Sequence, residues 1–475
     1  MKGFLQKMIE KQTKPFGIRD KIGYLFGDFG NDFTFILSSS FLLKFYTDVM
    51  HISAGIVGIV MMLARFVDAF TDVTMGRICD RAGAAPNGKF KPWILRMCAP
   101  VAISSFLIYQ SAFATSKVTF RIFWLVVTYI LWGSIFYTSI NIPYGSMAST
   151  ISRDPSERQS LSTFRTMGST LAGVIVGAGV PLVAYDTRIV DGVEIAEMNG
   201  GRFTFIAGVF SVLAIISYLI CYVLVTERVI PEPVKRKGKG AVKHLIVSAF
   251  TNRALISIIV ASILMLLSQF TLQQMSNYVF PDYYANTTAQ SASTIAMMGG
   301  MIIAAALARP LSEKFGKAEI SVFSNLTAAA ICILLFFIRP QNVWVYVAVN
   351  IFSWLGLGVF AMVNWALITD VIDYSEIKNG VREDGSIYAL YSFARKIGQA
   401  AAAGLSGLFL TIIGYEKTPG VPLPNSIKEG IFNISTIIPA IGFILLSLVL
   451  WFWYPLNKQQ VEENVRFLKE KHAQE

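Results

Sequence analysis

The sequence predicts an all-α integral membrane protein with twelve transmembrane helices in two pseudo-symmetric bundles of six. Of its 475 residues, 54% are hydrophobic and only 15% are charged, a balance outside the usual range of soluble domains. Runs of about 20 apolar residues recur along the chain, and each is long enough to cross a hydrocarbon core of roughly 30 Å as a helix. A charged loop that recurs once in each half indicates the internal repeat.

The apolar runs define both the spans and the domain order. The predicted spans are residues 22–48, 54–77, 93–114, 120–147, 161–185, 203–225, 253–280, 290–309, 319–338, 343–372, 386–414 and 429–455. They divide the chain into an N-terminal segment (1–21), a first bundle (22–225), a linker (226–252), a second bundle (253–455) and a tail (456–475). The linker combines prolines, glycines and lysines, which is typical of a flexible connection.

The positive residues are distributed unevenly between the two sides of the membrane. The net charge is +11, but the loops after odd-numbered spans carry only Lys117, Arg121, Arg188, Arg202, Arg339, Lys417 and Lys428. Most of the remaining Lys and Arg lie in the other loops and at the termini, which predicts that both termini are cytoplasmic. The basic charge therefore reflects topology and contact with the lipid bilayer, and no nucleic-acid partner is expected.

Equivalent loops of the two halves carry the same charged pattern. After span 2 the chain reads Asp80-Arg81-Ala-Gly83, and after span 8 it reads Glu313-Lys314-Phe-Gly316. In both, an acid and a base precede a glycine in a short loop. Equivalent loops in two six-span halves are expected of parallel repeats related by an axis along the membrane normal.

Span 2 carries a stripe of charge. Arg65, Asp68 and Asp72 share one helix face at spacings i, i+3 and i+7. A charge at mid-bilayer costs about 2.5 to 3.5 kcal/mol, so this face does not point at lipid. One arginine neutralises one carboxylate, and the remaining carboxylate indicates a site for a transported cation. The alternative is a structural ion-pair network completed by Lys396 in span 11.

Span 4 carries a polar face. Tyr137, Asn141 and Tyr144 align at spacings i, i+4 and i+7, and Pro143 allows the helix to bend and expose backbone carbonyls. Such a face suits a hydroxyl-rich ligand.

Charged residues at the predicted cytoplasmic ends of the two halves suggest a gate. Pairs between the halves would hold the cytoplasmic side shut. The candidate gate residues are Arg77, Arg81, Asp370, Asp373, Glu376 and Arg382.

Several motifs resemble the glycoside–pentoside–hexuronide:cation symporters, a branch of the major facilitator superfamily. The matching segments are Tyr24-Leu-Phe-Gly-Asp28-Phe-Gly-Asn31-Asp32, Phe45-Tyr-Thr-Asp48, Arg65-x-x-Asp68-x-x-x-Asp72-x-x-x-Gly76, Gly88-Lys-Phe-Lys-Pro-Trp-Ile-Leu95 and Asp370-x-x-Asp373-Tyr374. The similarity covers nearly the whole chain. It implies the major facilitator fold and a place in the plasma membrane, here a bacterial inner membrane.

The resemblance also implies roles for residues of the cation site. Asp68 and Asp72 match the acids that bind Na⁺, Li⁺ or H⁺ in the family, and Thr138 matches a threonine that helps them. Lys396 matches a lysine that couples the two halves. Thr71 stands where an asparagine contributes to sodium binding, so its hydroxyl is a candidate ligand and the choice between Na⁺ and H⁺ stays open.

For the sugar site, the resemblance implies Asp32, Tyr137 and Arg165. Carboxylates suit sugars because each accepts from two adjacent hydroxyls. Asn141 replaces a second sugar-binding aspartate of the family, which leaves the sugar open. The alternatives are a packing or capping role for Asp32 and a side chain of Arg165 that reaches out to the cytoplasmic surface.

The sequence therefore predicts a cation-coupled sugar or glycoside symporter that works by alternating access, as a monomer and without a cofactor other than its coupling ion. No hydrolase, nucleotide-binding or zinc-protease motif is present, so an enzyme is not expected. Two alternatives remain: a sodium-dependent lysolipid carrier of a related branch, and a membrane sensor that does not transport.

Overall fold

The computed structural model describes residues 15–83, 85, 87–229, 252–379 and 384–474. Among these residues the chain is helical apart from one two-stranded sheet and the connecting loops. The chain divides into two compact units. The first comprises Met1–Lys235 with Glu416–Val421, and the second comprises Arg236–Tyr415 with Pro422–Glu475.

The first unit contains seven α-helices, a π-helix and a β-hairpin in the part that the structure describes. In chain order these are α1 (Ile18–Asp48), α2 (Ala54–Arg81), α3 (Lys91–Ile108), α4 (Val118–Ile130), the π-helix Leu131–Tyr137, α5 (Thr138–Ile151), α6 (Pro155–Val183), β1 (Tyr185–Val190), β2 (Val193–Met198) and α7 (Gly200–Leu224). A 3₁₀ turn at Ser111–Phe113 follows α3. Helices α4 and α5 and the π-helix between them form one continuous span.

The second unit repeats this arrangement without the hairpin among its described residues. Its elements are α8 (Arg253–Tyr278), the π-helix Val279–Tyr283, α9 (Thr287–Phe315), α10 (Lys317–Ile338), α11 (Val343–Asn379), α12 (Asp384–Ile412), α13 (Asn425–Leu448), the π-helix Val449–Trp453 and α14 (Lys458–Gln474).

Each of the twelve predicted spans corresponds to a helix of the structure. Ten helical segments of the described chain are long and apolar enough to cross a membrane by length and composition, and α1 and α12 are not among them. Helix α1 is nevertheless 31 residues long, or about 46 Å at 1.5 Å per residue. It carries Asp28 and Asp32, whose charged side chains lower the hydropathy of the helix. Both residues belong to the candidate site described below.

Helix packing follows the same plan inside each unit. In the first unit α1 packs along α6 and α7, and α3 packs along α7. In the second unit α8 packs along α12 and α13, and α10 packs along α13. The first helix of each six therefore contacts the fifth and sixth, which is the internal repeat that the charged loops predict.

A β-hairpin connects α6 to α7. Strands β1 and β2 pair antiparallel, with Val190 opposite Val193. The turn residues Asp191 and Gly192 have φ of 51° and 79°, as a two-residue Asp-Gly hairpin turn requires. The predicted spans leave this region as a connecting loop, although Asp-Gly between alternating residues is a recognised hairpin signal.

Only part of the predicted domain boundaries lies in described residues. Residues 1–14 and 230–251 lie outside them. The first residues of the predicted linker bond to the first unit: the backbone N–H groups of Arg228 and Val229 donate to the Thr150 carbonyl at 2.7 and 2.8 Å. The domain boundaries stay predictions.

Candidate functional site

The charged stripe of α2 is partly buried within the first unit. Arg65 Nη1 lies 3.5 Å from Asp68 Oδ2, and these side chains are 16% and 15% exposed. The Arg65 guanidinium also lies over the Phe35 ring, 5.1 Å from its centroid. The arginine is therefore held between a carboxylate and an aromatic face of α1, as a cation in a weakly hydrated site requires.

Hydroxyl groups of the neighbouring span reach both carboxylates of α2. Ser134 Oγ donates to Asp68 Oδ1 at 2.5 Å, and Thr138 Oγ1 donates to Asp72 Oδ1 at 2.8 Å. The two acids are four residues apart, as are the two hydroxyls. Spans 2 and 4 of an up-and-down bundle run in the same direction, so equal spacings on the two helices place one hydroxyl against each carboxylate.

The π-helix brings span 4 close to α2. It covers Leu131–Tyr137 and includes Ser134, while Thr138 follows it directly. A Cβ built on Gly133 would lie 3.5 Å from Asp68 Oδ1, so a small residue here leaves room for that carboxylate. Ser134 and Thr138 are 2% and 4% exposed. Short π-helical segments within α-helices are frequent at functional sites.

Thr71 makes different bonds. Its Oγ1 donates to the backbone carbonyls of Val67 and Asp68, at 3.3 and 3.1 Å. This hydroxyl is directed along its own helix, as is usual for threonine in a membrane helix. In this conformation Ser134, which is not among the predicted site residues, contacts the Asp68 carboxylate. Ser134 precedes Thr138 by one helical turn, but that spacing alone does not show that its hydroxyl reaches a neighbouring helix.

An ion pair joins α1 and α6. Arg165 Nε donates to Asp28 Oδ1 at 3.0 Å, with the arginine side chain 40% exposed and the aspartate 10% exposed. The guanidinium lies 5.3 Å from the Tyr144 ring centroid. The predicted sugar residue Arg165 thus has a carboxylate partner on another helix, which argues against the alternative of a side chain that only reaches out to the cytoplasmic surface.

Asp32 lies one turn further along α1, within electrostatic reach of Asp28 and Arg165 and beside the Ser169 side chain. Tyr137 interacts electrostatically with Asp32, Asp28, Arg165 and Arg65, and its ring stacks on Phe35 with centroids 5.6 Å apart. Tyr137 therefore lies between the predicted cation and sugar residues, and the two sets form one polar region inside the first unit.

Tyr144 and Asn141, which are also predicted to bind the substrate, have different surroundings from Tyr137. The Tyr144 hydroxyl donates to the Tyr24 carbonyl at 2.6 Å, its ring stacks on Tyr24, and it is 1% exposed. A Cβ at Gly27 would overlap the Tyr144 ring. This residue fixes the contact between α1 and α5, which argues against direct contact with a substrate. Asn141 is partly exposed, and its role at the sugar site stays a prediction.

The predicted gate and coupling residues belong to both units. Arg77 and Arg81 are exposed at the end of α2. Lys317 Nζ donates to Asp370 Oδ1 at 2.6 Å within the second unit, so Asp370 has a partner in its own unit. On α11, Asp373 is partly exposed and Glu376 is buried. Lys396 lies on α12, and Arg382 falls outside the described residues. The gate and coupling roles stay predictions.

Comparison with known proteins gives the family. The sequence matches the family described as MFS/sugar transport protein over residues 23–458. It is 31% identical, over 94% of this chain and 92% of the relative, to a Salmonella typhimurium (strain LT2) protein provisionally named a sulfoquinovose importer. It is 29% identical, over 98% of each chain, to an uncharacterized symporter of Bacillus subtilis (strain 168).

The fold is shared with solved transporters. The crystal structure of D-xylose-proton symporter superposes with a TM-score of 0.65, covering 92% of this chain and 97% of that chain, at 13% sequence identity. Together with the family match, this likeness confirms the predicted resemblance and fold class. The chain belongs to the MFS/sugar transport protein family, and it is a multi-pass membrane transporter of the major facilitator fold, not an enzyme.

Proposed function

We propose that this protein is a cation-coupled symporter of a sugar or glycoside that works by alternating access. The observation that carries the proposal is the matched pairing of Asp68 with Ser134 and of Asp72 with Thr138, at 2.5 and 2.8 Å. Arg65 forms an ion pair with Asp68, and Asp72 supplies a second carboxylate one helical turn further along α2. A monovalent cation bound by these two carboxylates would reduce their mutual repulsion.

The proposed cation site consists of oxygen atoms only. Asp68, Asp72, Ser134 and Thr138 offer carboxylate and hydroxyl oxygens, the ligands that hard cations take in proteins. A sodium or lithium ion would be held by these oxygens, whereas a proton would be held by one carboxylate alone. The Thr71 hydroxyl would become a further cation ligand if its side chain rotated away from the backbone carbonyls that it now bonds.

The proposed sugar site consists of Asp28, Asp32, Arg165, Tyr137 and Asn141. Each carboxylate can accept from adjacent sugar hydroxyls. The Arg165–Asp28 bond occupies one of the five N–H donors of the guanidinium, so the others can serve a hydroxyl or an acidic sugar group. One relative is provisionally named an importer of sulfoquinovose, which is an acidic sugar. Acidic sugars are therefore candidate substrates as well as neutral ones.

Coupling follows from the charge balance. An unneutralised carboxylate carried through the membrane is penalised, so the loaded carrier would interconvert between its two states more readily than the half-loaded one. Lys396 would balance the carboxylates in the absence of the cation. Pairs drawn from Arg77, Arg81, Asp373, Glu376 and Arg382 would close the predicted cytoplasmic side. We further propose a monomer in the bacterial inner membrane with both termini in the cytoplasm.

Counterflow in proteoliposomes tests substrate and coupling separately. A panel of labelled glycosides, pentosides, hexuronides and sulfoquinovose is offered without an ion gradient, and the exchanged sugar is then tested with a Na⁺ gradient or a proton gradient alone. We expect exchange of one class and stimulation by one gradient. If neither gradient stimulates the sugar exchange, symport is excluded but sugar transport is not.

A matched pair of variants locates the cation site. In Thr138→Val the hydroxyl that bonds Asp72 is lost, and we expect the apparent cation affinity to fall about tenfold, or roughly 1.4 kcal/mol. In Thr128→Val the lost hydroxyl bonds the backbone carbonyls of Trp124 and Leu125, at 2.7 and 3.5 Å, and interacts with the Tyr46 hydroxyl rather than with a carboxylate, and we expect no change in cation affinity. Equal effects of both variants would place the cation elsewhere.

A further inference from the structure

An apolar cavity opens on the second unit, away from the site described above. Its volume is about 760 Å³, within the range of ligand pockets, and its lining comes from α9, α10, α11, α13 and the π-helix Val449–Trp453. The lining includes Leu311, Phe315, Phe323, Trp451 and Phe452. Phe323, Trp451 and Phe452 are 69%, 63% and 69% exposed, so the cavity faces the lipid phase.

Basic groups surround one end of this cavity. Arg253 donates from Nε to the Trp453 carbonyl and from Nη2 to the Phe452 carbonyl, both at 3.0 Å. These bonds use two of its five N–H donors and hold the guanidinium beside the backbone of Phe452, which lines the cavity, and of the following residue, Trp453. Lys314 precedes the lining residue Phe315, and its Nζ lies 5.2 Å from that ring centroid.

A third basic side chain adjoins Lys314. Lys458 Nζ donates to the Lys314 carbonyl at 3.1 Å and also lies 4.0 Å from Glu462. Arg253, Lys314 and Lys458 all lie on the side of the membrane that the charge bias predicts to be cytoplasmic.

Two carboxylates lie near this end of the cavity. Glu313 accepts from Arg309 Nε at 2.9 Å, and Glu319 Oε1, which belongs to a lining residue, accepts from the Lys458 backbone N–H at 2.9 Å, whereas Glu319 Oε2 has no hydrogen-bond partner among the described residues. In the part of the chain that the structure describes, neither Arg253 nor Lys314 forms a salt bridge. Within that part, both cations can therefore contact an external anion.

We propose that this cavity binds one anionic diacyl phospholipid of the cytoplasmic leaflet. The acyl chains would occupy the apolar groove, and the phosphate would contact Arg253 and Lys314. The exposed Trp451 indole lines the cavity, and its N–H would donate to the glycerol esters. A zwitterionic lipid would fill the groove equally well but would gain less from the basic end, since each basic residue near an anionic headgroup contributes about a fivefold gain in affinity.

Native mass spectrometry of the delipidated full-length protein, titrated with phosphatidylglycerol or with phosphatidylcholine of the same chains, tests the proposal. We expect one phosphatidylglycerol to bind in preference. The double variant Arg253→Gln/Lys314→Gln should weaken that binding by about 25-fold, at about fivefold per charge. The control Arg153→Gln/Arg158→Gln removes two exposed basic residues of the first unit on the same side and should leave it unchanged.

A third variant tests the groove without altering charge. Thr327 is an exposed lining residue of α10, and Thr327→Trp would fill the space for an acyl chain and so displace both lipids. Thermal unfolding in lipid-free detergent checks that each variant is folded. The proposal would be overturned if the two lipids bound equally well, or if the control variant lost as much binding as the double variant. It would also be overturned by a lipid-independent dimer that Thr327→Trp disrupts, because a second copy of the chain would then cover the cavity.

Discussion

Ser134 adds a hydroxyl that the α2 stripe alone does not reveal. Its Oγ lies 2.5 Å from Asp68 Oδ1, and its side chain is buried. In Ser134→Ala a cation would lose one oxygen ligand, and Asp68 would lose a donor. Because a hydrogen bond to a charged group contributes about 1.5 to 3 kcal/mol, we expect the apparent affinity for the coupling cation to fall at least tenfold.

The cation concentration that gives half-maximal sugar uptake measures this effect. Ser146→Ala is the matched control, because the Ser146 hydroxyl donates to the Ile142 carbonyl of its own helix at 2.9 Å. Equal half-maximal concentrations in both variants would show that Ser134 is a packing residue.

Tyr144 and Tyr137 lie seven residues apart on one predicted face, but the structure gives them different tasks. In Tyr144→Phe the buried hydroxyl that bonds the Tyr24 carbonyl is lost, and we expect the free energy of unfolding to fall by about 1 kcal/mol with unchanged sugar affinity. In Tyr137→Phe we expect the reverse, a weaker sugar affinity with unchanged stability. Thermal unfolding and counterflow competition separate the two outcomes, and a Tyr144→Phe protein that is stable but binds sugar weakly would contradict this division.

At the residue scale, the charged residues of the site are easier to predict from sequence than the neutral side chains that bond them. Charges in an apolar span are conspicuous, so Asp68, Asp72 and Arg165 could be selected directly. Hydroxyl side chains are common in membrane helices and usually bond their own backbone, as Thr71 does. Which hydroxyl faces a neighbouring carboxylate depends on helix register and on the π-helix, so Ser134 could not be distinguished from Thr71.

Among the elements, the segment that follows α7 ties three helices of the first unit together. The Glu227 carboxylate accepts the backbone N–H groups of Lys89, Phe90 and Lys91 at 2.9, 2.8 and 2.7 Å, where α3 begins. Arg228 Nη2 meets Asp20 Oδ2 of α1 at 2.8 Å. The Gly88-Lys-Phe-Lys-Pro-Trp motif thus supplies the backbone donors for an acid far along the chain.

Neutralising this acid should loosen the loop before α3. In Glu227→Gln one carboxylate oxygen becomes an amide donor that faces backbone N–H groups, and we expect a loss of about 1.5 to 3 kcal/mol of stability. Thermal unfolding in detergent measures it. Glu194→Gln, at an exposed position of strand β2, is the control and should unfold like the native protein. An unchanged midpoint in Glu227→Gln would show that backbone geometry alone holds the loop.

Element prediction succeeded where hydrophobicity decides and failed where local turn geometry decides. The apolar runs placed all twelve helices because a bilayer requires every backbone group to bond within its own segment. The hairpin Tyr185–Met198 lies outside the apolar spans, where this constraint does not act. The π-helix of span 4 lies inside an apolar run, so the pattern that predicts the span does not distinguish it from the α-helix on either side.

At the scale of the whole molecule, the charged loops after spans 2 and 8 anticipated two units with equivalent packing. Sequence reasoning could reach this because each half must cross the membrane the same number of times and expose its basic loops on one side. The partner of Asp370 was harder to foresee. Lys317 is the first residue of α10 in the same unit, and many basic residues on that side were equally available by sequence.

The central claim, that Asp68 and Asp72 couple a cation to sugar movement, is tested most directly by uphill accumulation in proteoliposomes driven by one ion gradient. We expect the native protein to concentrate its sugar above the external level, and Asp72→Asn to fold, to exchange sugar in counterflow and to reach only equal concentrations. Accumulation by Asp72→Asn equal to that of the native protein would contradict the account.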